Sequence, residues 1–127
     1  MSLEEAELLR RRAHAFLKNA QRLLREGEYD LAAFSLEQYC QLILKYKLLL
    51  KKGGYPRTHS LRRLIRELGE VEPQVLELVN NIAYLHYIAR LEEAYIASRY
   101  LPIVYEEAEV KDLARFVEEV FRKYVEG

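Results

Sequence analysis

The feature that most constrains this chain is where its helix breakers fall. Only five glycines and three prolines occur in 127 residues, and they stand between runs of helical periodicity. Strand-type alternation appears nowhere over a useful length, so the whole chain reads as helices. A first helix is predicted over about 4–26, with Leu9, Ala13, Phe16, Ala20 and Leu23 stepping along one face. Gly27 suits the left-handed position after its end. A second helix, about 30–51, has a wide apolar face: Ala32, Leu36, Tyr39, Ile43, Tyr46 and Leu50, broadened by Leu31, Phe34, Leu42 and Leu49. Such width predicts a central helix.

"KKGGYPRT" ends that helix, and a short one follows over about 59–68, capped by Thr58 or Ser60 and stopped by Gly69. Pro73 fits the first position of the next long helix, which is predicted to continue to Arg99 and to end at Pro102. A last helix covers about 106–125, with Val110, Leu113, Ala114, Val117, Val120, Phe121 and Tyr124 on one side. The expected fold is all-α: an antiparallel four-helix up-and-down bundle with an additional short helix between the second and third long helices, as a single domain over 1–127.

The long helix from Pro73 carries two apolar faces. Leu78, Ile82, Leu85, Ala89 and Ile96 form one, assigned to the core. Tyr84, Tyr87, Ile88, Leu91 and Tyr95 form the other. The second face needs cover from the final helix, from a second copy of the chain, or from stacked nucleic-acid bases. Tyr84, Tyr87, Ile88, Leu91 and Tyr95 are therefore candidate dimer-interface residues.

Charge is balanced overall but not along the chain. Residues 1–66 hold 14 Lys and Arg against 7 Asp and Glu, whereas residues 67–127 hold 6 against 13. This polarity fits either a basic face for an anionic partner or mutual cancellation between packed helices. No apolar run is long enough for a membrane span. The start "MSLEEAELLRRRA" lacks the apolar region of a secretory signal, and Cys40 is the single cysteine. A cytoplasmic location without membrane partners is the expectation. No phosphate-binding Gly loop, His/Cys metal cluster or nucleophile motif is present, so neither metal nor cofactor is expected, and an enzyme is not indicated.

Taken together, "EGEYDLAAFSLEQYCQLILKYKLLLKKGGYPRTHSLRRL" resembles the HEPN domain family. The resemblance rests on the Gly-x-Tyr-Asp turn at 27–30, small residues at Ala32 and Ala33, "EQ" at 37–38, Lys45, and "HSL" at 59–61. "SRY" at 98–100, before a proline and a final helix, completes it. The resemblance implies a helical bundle that usually dimerises, often beside a minimal nucleotidyltransferase in a toxin–antitoxin-like pair. Many members are metal-independent RNases whose arginine is followed, after about four to six residues, by a histidine. Here Arg99 matches the arginine, but Val104, Tyr105 and Glu106 occupy the places for the histidine. None can act as an imidazole near neutral pH. The expectation is a non-catalytic module binding a nucleotide, RNA or protein partner, with an RNase of altered signature as the alternative. Arg99 would clamp phosphate or carboxylate, Tyr95, Tyr100 and Tyr105 would form aromatic walls, and Lys45 and His59 come from the family pattern.

Overall fold

The computed structural model describes residues 3–127. Helices account for most of them, with no strand among the described residues. Helix α1 spans Leu3–Arg25 and α2 spans Tyr29–Lys52. Between them Gly27 adopts φ 80°, the N–H of Glu28 reaches Leu23 O at 2.9 Å, and that of Gly27 reaches Leu24 O at 3.2 Å. This paired closure satisfies the last carbonyls of α1 and turns the chain back, and glycine alone enters it without strain.

Helix α2 is the central element, packing against α1, α3 (Leu61–Gly69), α5 (Ile82–Tyr100) and α6 (Glu107–Phe116). Its buried residues run around most of its circumference, from Ala32 and Ala33 through Leu36, Tyr39, Ile43 and Leu44 to Leu48. That agrees with the wide apolar face of its sequence. Helix α3, Leu61–Gly69, is capped by Ser60, whose Oγ accepts the Arg63 N–H at 3.2 Å. Its Leu61, Leu64, Ile65 and Leu68 are all fully buried.

The predicted continuous helix from Pro73 to Arg99 is broken. A 3-10 turn covers Pro73–Leu76, helix α4 covers Glu77–Asn80, and α5 begins at Ile82 and ends at Tyr100. At the break Asn81 is extended (φ −85°, ψ 117°), and its Oδ1 accepts the N–H groups of Ala83 at 3.0 Å and Tyr84 at 3.4 Å. Asparagine competes with helix continuation by capping the next one.

The break changes which face of α5 is inside. Ile88, Leu91, Ala94 and Ala97 are buried, whereas Ile82 and Ile96 are 66% and 52% exposed. Of the face assigned to the core, Ile82 and Ile96 are thus outside, Leu85 and Ala89 are half-buried and Leu78, before the break, stays inside, while the second apolar face is the inner one of α5. Helix α6, Glu107–Phe116, supplies the cover: Phe116 stacks on Tyr87 at 4.6 Å and meets Tyr84 at 5.8 Å. Ile88 and Leu91, fully buried within one chain, are not available to a second copy as the sequence reading had them. Tyr84, Tyr87 and Tyr95 are half-buried against neighbours in the same chain.

After α6 the helix widens into a π-type turn at Val117–Phe121 and ends as α7, Arg122–Val125. The extra residue turns both Val117 and Phe121 into the core. The opposed charges of the two halves meet in space: Lys47 and Lys51 pair with Glu72, Lys52 with Glu67 and Glu70, and Arg62 with Glu92. No helix among the described residues is long and apolar enough to cross a membrane.

Candidate functional site

The end of α5 faces the middle of α2 and the loop before α3, and there the chain gathers most of its predicted site residues. Arg99 is exposed. Its guanidinium carbon lies 4.2 Å from the centre of the Tyr95 ring, 4.9 Å from that of Tyr100 and 5.4 Å from that of Phe34. Its Nε donates to the Tyr95 carbonyl at 3.0 Å. Arg99 has no carboxylate partner among the described residues, so its terminal nitrogens remain available to an anion. Stacking on aromatic faces holds the cation in place without neutralising it.

Tyr95 also carries His59, stacked at 4.7 Å between ring centres, and Phe34 at 6.2 Å. Its ring is thus occupied by the chain's own side chains. The aromatic surface left open at Arg99 is Tyr100, which is 70% exposed.

Behind His59 lies a polar chain on an otherwise apolar face of α2. Gln41 Oε1 accepts from Lys45 Nζ at 3.1 Å and faces His59 Nδ1 at 3.4 Å, while Gln41 Nε2 donates to Glu37 Oε2 at 2.8 Å. Gln38 Nε2 donates to Glu37 Oε1 at 2.7 Å. Glu37 is fully buried. Burial pushes its carboxyl up to about 7, with nearby Glu92 adding to the rise; the two glutamine amides and Lys45 oppose it. Lys45 is held below the ordinary lysine value by burial, with Glu37 opposing. Neither Glu37 nor Gln41 was singled out as a site residue from the sequence. The signal was present, since Glu37, Gln41 and Lys45 recur every fourth residue and so share one side of a buried helix.

Glu92 completes the neighbourhood. Its Oε2 accepts from Ser60 Oγ at 3.1 Å and from the Arg62 N–H at 3.2 Å, and its Oε1 accepts from Arg62 Nε at 2.8 Å. This ties α5 to the start of α3 and uses Arg62. Arg57, Arg63 and Arg66, which flank His59 in sequence, have no carboxylate partner among the described residues.

Tyr105 is placed elsewhere and is not a wall of the Arg99 site. It is 3% exposed, and its N–H donates to Asp30 Oδ1 at 2.8 Å. Ser98 Oγ donates to the Asp30 carbonyl at 3.0 Å, so both sides of the α5–α6 connection are anchored to the first turn of α2. This gives Asp30 of the Gly-x-Tyr-Asp turn a packing role. Burial, with Glu93 adding to it, pushes the Tyr105 hydroxyl up to about 12, and that hydroxyl has no hydrogen-bond partner among the described residues. Val104 and Glu106, the other two places for a histidine, are exposed.

The arrangement offers a held, uncompensated cation beside an exposed ring and an imidazole. Such a group can grip phosphate or carboxylate. No set of three or more His, Cys, Asp or Glu among the described residues is placed to hold a metal ion. The profile of the HEPN domain matches residues 6–127. An all-helical chain matched over nearly its whole length is a HEPN protein, and this chain belongs to that family. No match was found to a curated protein or to a solved structure.

Proposed function

We propose that the protein is a cytoplasmic, non-catalytic HEPN module whose Arg99 cluster binds the phosphate of a nucleotide or RNA. It acts as a homodimer, as one half of a toxin–antitoxin-like pair with a minimal nucleotidyltransferase. The observation that carries the phosphate reading is the state of Arg99: aimed by three aromatic rings and opposed by no carboxylate among the described residues. An arginine kept in that state has binding capacity to spare. Arg57, Arg63 and Arg66, close to His59 in sequence, add positive charge to the same segment of chain. The non-catalytic part rests on Val104, Tyr105 and Glu106, of which two are exposed non-imidazole side chains and one is turned into the core.

Binding of labelled single-stranded RNA, followed by anisotropy across a salt series, tests this reading. Arg99→Ala should weaken binding about ten-fold and flatten its dependence on salt by about one phosphate contact. Unchanged affinity in Arg99→Ala would remove the phosphate site.

A second reading, a metal-independent ribonuclease, is favoured by one contact. His59 stacks on the same Tyr95 ring as Arg99, which brings an imidazole to the arginine by packing instead of by sequence spacing. Cleavage of a mixed RNA pool that is lost in both Arg99→Ala and His59→Ala would establish it in place of the binding module.

A further inference from the structure

The polar chain behind the Arg99 cluster has a fixed direction. An ionised Glu37 only accepts hydrogen bonds, so the Gln41 amide must turn its NH2 toward Glu37, at 2.8 Å. A lysine ammonium only donates, so the oxygen of the same amide must face Lys45, at 3.1 Å. Two independent partners thus impose one orientation on Gln41. Its oxygen also faces His59 Nδ1 at 3.4 Å. An amide oxygen carries no proton, so a neutral His59 bonded there holds its proton on Nδ1 and presents a bare lone pair on Nε2. The ring is steadied by its stack on Tyr95.

We propose that Glu37, through Gln41, positions His59 as a hydrogen-bond acceptor in the Arg99 site, and that this selects phosphate esters with a neighbouring free hydroxyl, such as a ribose over a deoxyribose. This rests on the phosphate reading of Arg99. Both groups rest on the Tyr95 ring, His59 with its ring centre 4.7 Å and Arg99 with its guanidinium carbon 4.2 Å from the centre of Tyr95. Arg99 only donates and takes the phosphate oxygens. A lone pair on Nε2 repels phosphate oxygens and needs a donor, and the hydroxyl is the donor a sugar phosphate offers. Lys45, half-buried on the same amide oxygen, keeps further donor capacity. Glu37 and Gln41 are positioning residues: both are buried and act only through His59.

Two measurements on the intact protein separate this inference from the reading beneath it. The first is the histidine tautomer, read from long-range proton–nitrogen spectra at a pH above the value of about 7 to which Glu37 is pushed. His59 should carry its proton on Nδ1, and the double variant Glu37→Gln/Lys45→Met, which removes both groups that dictate how Gln41 turns, should move the ring toward a mixture of tautomers. The second is the ratio of affinities for a short single-stranded RNA and the DNA of the same sequence. His59→Ala should lower that ratio roughly five-fold, the worth of one hydrogen bond. A proton found mainly on Nε2 in the native protein, or an unaltered tautomer in the Glu37→Gln/Lys45→Met double variant, overturns the positioning role. An RNA-to-DNA ratio untouched by His59→Ala overturns the selectivity. If neither strand binds, the ligand half falls together with the phosphate reading, and the tautomer still decides the positioning half.

Discussion

Tyr87 lies flat on Phe116, with ring centres 4.6 Å apart and planes 8° from parallel, and its hydroxyl donates to Asp112 at 2.8 Å. That contact couples α5 to α6 on the inner face of α5. Behind it Ile88 and Leu91 are fully buried.

A charge placed at Leu91 should therefore unfold the chain instead of dissociating a dimer. Leu91→Ala should cost about 2–5 kcal/mol in urea unfolding, because it opens a cavity between α5 and its neighbours. Tyr87→Phe keeps the stack and loses the Asp112 bond, for a cost of about 1 kcal/mol. A Leu91→Glu protein that stays folded as a monomer would show that this face is outer after all.

Gly69 ends α3 against the side chain of Leu76. A Cβ built there would overlap the Leu76 side-chain carbons, while φ is not of the left-handed kind. Space, not backbone freedom, is what requires glycine here. Gly69→Ala should destabilise the fold by about 1–3 kcal/mol through overpacking. Adding Leu76→Ala should recover part of that loss, since it removes the clashing atoms. A double variant whose losses merely add would show that the two sites do not touch.

The existence of the helices was legible because it rests on periodicity, which any window of the sequence displays. The inward face of α5 was not, because it depends on phase. Projecting one unbroken helix from Pro73 carried the register of Leu78 past Asn81, where the backbone is extended and the count restarts. The signal was a single asparagine able to cap, and short polar residues inside helical runs are ambiguous on that point. The site shows a similar division. Arg99, Tyr95, Tyr100, Lys45 and His59 do converge or link through Gln41, although Lys45 and Arg99 are far apart in sequence. Tyr105 was misplaced because nothing in "LPIVY" reveals that its N–H is claimed by Asp30, far back in the chain.

The dimer part of the proposal now needs a different surface. Ile96, Tyr100, Leu101, Ile103 and Val104 are the large apolar side chains left exposed at the end of α5 and in the segment after it. Val104, at 77% exposure, contributes little to the chain's own packing. Val104→Glu should leave thermal unfolding within about 0.5 kcal/mol of the parent. It should convert a dimer to monomer by light scattering if this segment is the contact. A dimer indifferent to Val104→Glu and to Leu101→Glu would place the contact elsewhere.

Glu37 makes stability depend on pH in a direction opposite to that of an ordinary paired carboxylate. Its folded value, about 7, lies above the 4.5 of the free side chain. Between those values the folded chain holds a proton that the unfolded chain has lost, so stability falls as pH rises through this window and levels off above it. The cost at full extent is about 3–4 kcal/mol. Buried in α2, Glu37 faces Gln38, Gln41, Lys45 and Cys40 on its own helix and Glu92 from α5. Lys45 offsets part of the cost and Glu92 adds to it. Glu37→Gln should remove the pH dependence in this window and make the protein more stable than the parent above it. The gain is reduced by about 1 kcal/mol, because a glutamine has one acceptor oxygen for the two amide donors that Gln38 and Gln41 now direct at the carboxylate. Urea unfolding of both proteins across the window provides the comparison. Parallel pH profiles, with no crossing as pH rises, would mean that Glu37 does not titrate there.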